Sequence, residues 1–214
     1  MNHFEKYSSL LLEESKKISL TGYKSRAEIF EKLINPSIKL SAIFKLNSGA
    51  RIIDVGSGIG IPGIPMAIEM KEMEIYLVES IKKKIDFLNK AKSVLSLNNI
   101  EIITGRAEEF GRKEEFREQF DISVCRAIGG LGVSLELLSP FCMVGGKVMV
   151  FRGNNEKGHP DFKLIEEELG LKFQEILTDI YEGKVWIFNK IDKIDDKYPR
   201  KPGIPEKRER FIKK

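Results

Sequence analysis

The chain has 214 residues, 42% of them hydrophobic and 32% charged, and carries a net charge of +4. This is enough length and apolar content for one domain with a buried core, and it excludes an intrinsically disordered chain. No apolar run reaches the length of a bilayer span, so no membrane attachment is expected.

The start of the chain, Met1 to Lys6, lacks the basic-then-apolar order of a secretory leader. Cys125 and Cys142 fall inside apolar segments and read as reduced core thiols, which implies a cytoplasmic protein. Two cysteines and two histidines without ligand spacing give no metal site. The charge is uneven: residues 197–214 hold eight Lys or Arg against two Glu, a surplus of +6 where the whole chain has +4. Such an end segment suits a polyanionic partner, or is a solvated tail.

Residues 1–46 read as a helical extension. Phe4, Tyr7, Leu10, Leu11 and Ile18 share one apolar face, and Ile29, Phe30, Leu33 and Ile34 share another. Asn35-Pro36 predicts a break, with a further helix over 38–46. A turn at 47–49 then leads to a β-branched strand at 51–53 and the loop Asp54-Val55-Gly56-Ser57-Gly58-Ile59-Gly60-Ile61-Pro62-Gly63. Helix is expected over 65–70, strand over 74–79, helix over 81–95 and strand over 100–103. Strand follows over 120–125, helix over 131–142, strand over 147–151 and helix over 161–169. A closing hairpin pairs 171–179 with 184–189. Repeated strand–helix units argue for a mostly parallel sheet of seven strands with helices on both faces. Residues 47–190 form this unit, and 191–214 a basic closing segment.

A strand that feeds a helix through a glycine turn marks the ligand corner of an open α/β sheet. Gly58-x-Gly60-x-x-Gly63 satisfies the dinucleotide fingerprint. Gly56-x-Gly58-x-Gly60 behind Asp54 satisfies the first motif of enzymes that use S-adenosylmethionine (SAM). SAM carries an ammonium and a sulfonium and no phosphate, so an acid at the strand end suits it and opposes a pyrophosphate. Pro62 and Pro65 remove backbone donors that a pyrophosphate would need. Glu79-Ser80 ends the second strand, where a carboxylate accepts ribose hydroxyls of either cofactor. Ala107 and Glu108, after the third strand, suit an adenine edge or a helix first turn. Arg126 ends the fourth strand and either faces the reaction crevice or pairs with a nearby acid.

Ile53 to Pro65, with its Gly-Ile-Pro-Gly-Ile-Pro run, resembles the signature of the bacterial 16S ribosomal RNA methyltransferase G family (RsmG, also called GidB). Glu79-Ser80-Ile81-Lys82-Lys83-Lys84, Arg106-Ala107-Glu108-Glu109, Cys125-Arg126-Ala127 and Tyr198 to Pro205 are similar to further segments of that family, in the same order. The resemblance implies a Rossmann-like class I SAM-dependent methyltransferase acting on N7 of a guanine in 16S rRNA. It implies SAM contacts at Gly56, Ile61, Ala107, Glu108 and Arg126, with Glu79 at the ribose. Lys32, Asn35 and Pro36 stand where the family often has a His-x-x-Asp-Ser stretch, Arg152 replaces a usual Lys, and Ile204 replaces a usual Thr.

Guanine N7 has an in-plane lone pair and no proton, so the reaction needs alignment and no general base. Asp54 and Arg126 are the electrostatic and positioning candidates. Phe151 and Phe110 are candidates for stacking on the base. Arg152, Arg200, Lys201, Lys207, Arg208 and Arg210 are candidate phosphate contacts. Pro199, Pro202 and Pro205 are expected to keep the closing segment extended. The partner expected is 16S rRNA or the small ribosomal subunit, the protein itself a monomer. Other readings are a SAM enzyme with a different substrate, a nicotinamide oxidoreductase, or an RNA-binding module on the same fold.

Overall fold

The computed structural model describes residues 2–154 and 158–213. Its centre is a seven-stranded sheet in the order β3-β2-β1-β4-β5-β8-β7. The strands are β1 (Arg51–Val55), β2 (Glu74–Glu79), β3 (Ile100–Thr104), β4 (Phe120–Arg126), β5 (Cys142–Arg152), β7 (Leu171–Leu177) and β8 (Lys184–Lys190). β1 to β5 run parallel, and β8 returns antiparallel between β5 and β7. Their inner residues form near-continuous apolar runs because helices cover both faces. The strand order reverses between β1 and β4, which opens a crevice at their carboxyl ends. A two-stranded ribbon, β6 (His159–Pro160) with β9 (Ile212–Lys213), lies apart from the sheet.

Two cores result. One joins the amino-terminal helices to a sheet face: Tyr7, Leu11, Ile29 and Ile34 share it with Ile52, Ile64, Ile75 and Leu88. The other holds Ile53, Leu135, Phe141 and Phe188 together with Tyr198 and Phe211 of the closing segment. α4 (Gly63–Glu69) and α5 (Lys82–Val94) serve the first core, α7 (Leu131–Leu138) and α8 (Phe162–Leu169) the second.

The amino-terminal region departs from the expected break at Asn35-Pro36. After α1 (His3–Ser15), which stops short of Ile18, the chain runs without interruption through α2 (Arg26–Ile29), a π turn (Phe30–Ile34) and α3 (Asn35–Ser41). Pro36 has no N–H to give the Lys32 carbonyl. The ladder absorbs this by a wide turn, in which the Asn35 N–H bonds five residues back to Phe30. The helix expected over 38–46 ends at Ser41. The helix expected over 131–142 ends at Leu138, because Pro140 has no N–H for the Glu136 carbonyl, and β5 begins at Cys142. The closing segment is not wholly extended: α9 (Ile204–Lys207) is a helical turn with Pro205 in its first positions.

Candidate active site

The β1–α4 loop binds itself before it binds anything else. Ser57 N–H donates to the Val78 carbonyl (3.0 Å), Gly60 N–H to the Ser57 carbonyl (2.7 Å) and Ile61 N–H to the same carbonyl (3.2 Å). Gly58 N–H donates to Glu79 Oε2 (2.9 Å) and Gly63 N–H to Asp54 Oδ2 (3.0 Å). Pro62 has no N–H. Five of the loop's donors are therefore spent on the protein's own carbonyls and carboxylates rather than left for a pyrophosphate.

Asp54 takes a different place from the one its charge suggests. Its side chain is fully buried beneath the start of α4 and does not line the cavity. Among the described residues, Oδ1 has no hydrogen-bond partner. Burial pushes the carboxyl up to about 8, opposed by the Gly63 bond and reinforced by the Glu79 charge. It is thus mostly neutral at pH 7, a clamp on the loop rather than a cation-facing carboxylate. Gly63 must be glycine for this, since a Cβ there would lie 2.9 Å from Asp54 Oδ2 and 2.3 Å from a Leu77 methyl. Tyr7 on α1 clamps the loop from the other side, its hydroxyl donating to the Ile59 carbonyl.

Glu79 is buried and already accepts three backbone bonds. Oε1 takes Ser80 N–H (2.7 Å) and Ile81 N–H (2.9 Å), and Oε2 takes Gly58 N–H. A carboxylate oxygen offers about two lone-pair sites. One acceptor site on Oε2 remains, so a ribose diol cannot occupy both oxygens while these bonds hold.

Beside these residues lies a cavity of about 100 Å³ at the carboxyl ends of β2 and β3. Gly56, Val78, Glu79, Ser80, Ala107 and Glu108 line it, along with Ile128, Leu137 and Glu206. The sequence singled out neither Ile128 nor Leu137, nor Glu206. Gly56 has φ +64°, and a Cβ there would meet Ile128 Cδ1 at 2.6 Å, so glycine keeps this wall open. Glu108 heads α6 (Ala107–Phe110), is buried, and accepts from Gly203 N–H (3.2 Å) of the closing segment. Apolar side chains and carboxylates together on these walls suit the chemistry of an adenosine with a cationic tail and oppose a diphosphate.

Among the described residues, Arg126 neither pairs with an acid nor lines this cavity. Its Nη2 donates to the Lys32 carbonyl (2.9 Å) and Nη1 reaches the Leu33 carbonyl (3.5 Å). The Lys32 carbonyl is the one that Pro36 leaves unpaired, so the π turn and the arginine complete one another. The guanidinium lies over the Tyr181 ring (5.3 Å) and the Phe151 ring (5.8 Å), and burial draws its pKa down. A second cavity, of about 360 Å³, opens here at the end of β4. Tyr23, Lys32, Asn35, Lys39, Arg126 and Tyr181 are among its walls. Arg126 thus borders one cavity and Ile128, two residues on, the other.

Of the stacking candidates, Phe151 is buried in the core and Phe110 is half-buried. Phe151 is 1% exposed, and Phe110 packs edge-on against Phe116 under Lys113. Tyr23 and Tyr181 are the half-buried rings that face the second cavity. The basic candidates divide. Arg200 makes a bidentate bridge to buried Glu136 (2.6–3.1 Å), and Arg210 pairs with Glu168 (2.5 Å), so both serve the fold. Arg152 bonds the Gly129 carbonyl. Lys201, Lys207 and Arg208 are exposed. Cys125 and Cys142 are buried free thiols, pushed up to about 12 by burial.

The reversed strand order, the self-satisfied glycine loop and the acid-lined cavity define a class I SAM-dependent methyltransferase fold. Solved structures agree: a SAM dependent methyltransferase from Aquifex aeolicus matches with TM-score 0.56 at 14% identity, covering 82% of this chain and 95% of that one. M. jannaschii TYW2 in complex with AdoMet matches with TM-score 0.53 at 18% identity, over 73% and 77% of the two chains. Sequence comparison goes further. The family profile for rRNA small subunit methyltransferase G (GidB) matches residues 1–167. Ribosomal RNA small subunit methyltransferase G of Clostridium tetani is 39% identical over 214 residues, covering 97% of this chain and 89% of its own. The protein of the same name from Caldanaerobacter subterraneus subsp. tengcongensis is 37% identical over 207 residues, covering 94% and 86%. The chain belongs to the rRNA small subunit methyltransferase G family.

Proposed function

We infer that the protein transfers a methyl group from SAM to N7 of a guanine in 16S rRNA. The observation that carries the cofactor half is the loop whose Ser57, Gly58, Gly60, Ile61 and Gly63 donors are engaged within the protein, beside a cavity lined by apolar side chains and carboxylates. The family carries the substrate half. When bound, SAM supplies an electrophilic methyl group on a sulfonium. Gly56, Ile61, Glu79, Ser80, Ala107 and Glu108 hold it, while Asp54, Gly58 and Gly60 shape the loop beneath. The chain's task is placement: N7 brings its own lone pair and releases no proton, so no side chain acts as a base.

Arg126 acts as a positioning residue in this reading. It ties the α2–α3 segment across the end of β4 and so fixes the wall of the second cavity, where the target base enters. Tyr23 and Tyr181 are the rings on which an unstacked guanine rests. Lys201, Lys207 and Arg208 meet the RNA backbone.

The partner is 16S rRNA or the small ribosomal subunit in the cytoplasm, and the protein acts as a monomer. Its exposed large apolar side chains (Ile43, Ile81, Val94, Val144, Phe162 and Ile191) are scattered over separate elements, which supports this. Among the described residues no helix is long and apolar enough to cross a membrane. Titration calorimetry with SAM and with NAD tests the cofactor half: SAM is expected to bind and NAD to give no heat. The reverse would overturn the reading.

A further inference from the structure

The closing segment does more than carry basic side chains past the active site. Arg200 locks onto Glu136 of α7, and Gly203 N–H bonds Glu108 at the cavity wall. Pro205 is buried, and Glu209 Oε1 accepts from Gly132 N–H of α7 (3.1 Å). These ties bracket α9 and deliver Glu206 to the cavity of about 100 Å³ that β2 and β3 form at their carboxyl ends.

Three carboxylates line that cavity, and they differ in what they have left to offer. Glu79 is engaged with three backbone donors and Glu108 with Gly203. Glu206 is exposed, and its carboxylate has no hydrogen bond or ion pair among the described residues. A carboxylate only accepts. The purine of an adenosine presents one hydrogen-bond donor at its edge, the exocyclic amine. Glu206 lies three residues after Gly203, which is bonded to Glu108 after β3, while Glu79 stands at the end of β2 and holds the glycine loop.

We propose that Glu206 is a cofactor-contacting residue: it accepts a hydrogen bond from the adenine amine, and the closing segment thereby forms one wall of the cofactor site. The inference rests on the SAM reading above and extends it. It has a consequence for RNA binding. Lys207 and Arg208 follow Glu206 directly, and Lys201 lies five residues before it, all three exposed. Cofactor held by Glu206 fixes these cations in place, so SAM and RNA bind with positive coupling, each strengthening the other by the same factor.

The test uses the full-length protein as wild type, Glu206→Ala, Glu206→Gln and, as a control on a distant exposed carboxylate, Glu101→Gln. Calorimetry measures binding of S-adenosylhomocysteine and of its S-inosyl analogue, in which an oxo group replaces the amine. Limited trypsin digestion follows cleavage after Lys207 and Arg208 with and without SAM. A charge-assisted hydrogen bond predicts that Glu206→Ala weakens the adenosyl ligand about ten- to a hundredfold, with Glu206→Gln between it and wild type. Wild type should favour the adenosyl over the inosyl ligand, and Glu206→Ala should bind both alike. SAM should slow tryptic cleavage in wild type and Glu101→Gln but not in Glu206→Ala. Unchanged affinity and unchanged discrimination in Glu206→Ala, with wild type binding normally, would overturn this inference and leave the SAM reading standing. Failure of wild type to bind any adenosyl ligand would overturn both.

Discussion

Asp54 gives the sharpest quantitative expectation, because its burial has a calculable cost. Its carboxyl rises from 3.8 to about 8, mainly through desolvation. Between those two values the folded protein keeps a proton that the unfolded chain has released. The folded state therefore binds more protons, and stability falls as pH rises through this window. From pH 5 to pH 7 the loss is about 3 kcal/mol, at ~1.4 kcal/mol per unit. For a domain of this size that corresponds to a fall of roughly 6–12 °C in melting temperature. Asp54→Asn keeps an acceptor for Gly63 N–H and removes the ionisation. The assay is thermal denaturation of both proteins across pH 5 to 8. The wild-type curve should fall more steeply than the variant's by about that amount, and the variant should be the more stable at pH 7. Parallel curves would refute the assignment of Asp54 as a neutral clamp.

Other substitutions separate structural from functional cations. Arg200→Ala should cost about 3 kcal/mol or more of stability in chemical denaturation, since it strips the bidentate partner from a carboxylate that is 1% exposed. Lys207→Gln and Arg208→Gln should leave stability alone, and each should reduce the salt slope of RNA binding by roughly 0.7–1. Gly56→Ala should weaken SAM binding tenfold or more in calorimetry, because its Cβ displaces Ile128 from the cavity wall. Gly58→Ala meets nothing closer than the Gly56 carbonyl at 3.8 Å, so it should cost only the left-handed backbone strain of about 1–2 kcal/mol in stability. Pro36→Ala restores an N–H that competes with Arg126 for the Lys32 carbonyl. Turnover should fall with SAM affinity unchanged, as measured by methyl transfer beside calorimetry.

Much of this was legible in the sequence where the chemistry is local. The strand into Asp54, the glycine spacing after it and Glu79 at the next strand end need only short-range rules, and the structure has them at adjacent strand ends. What stayed hidden depends on partners far along the chain. Arg126 ends on the carbonyls of Lys32 and Leu33 because a proline four residues past Lys32 leaves one of them open. No periodicity reveals that pairing. Arg200 reads as a free phosphate contact until Glu136 is found beneath it. Asp54 reads as a charged group until burial is known. The one hint of Glu206 was an acid in an otherwise basic stretch, which sequence alone cannot tell from a solvated residue.

The most direct test is methyl transfer itself. Purified protein is incubated with SAM labelled in its methyl group and small ribosomal subunits lacking the modification, and the 16S rRNA is digested to nucleosides for mass spectrometry. Label should appear in 7-methylguanosine and nowhere else. Unlabelled rRNA, or label carried on another nucleoside, would contradict the proposed chemistry at its centre.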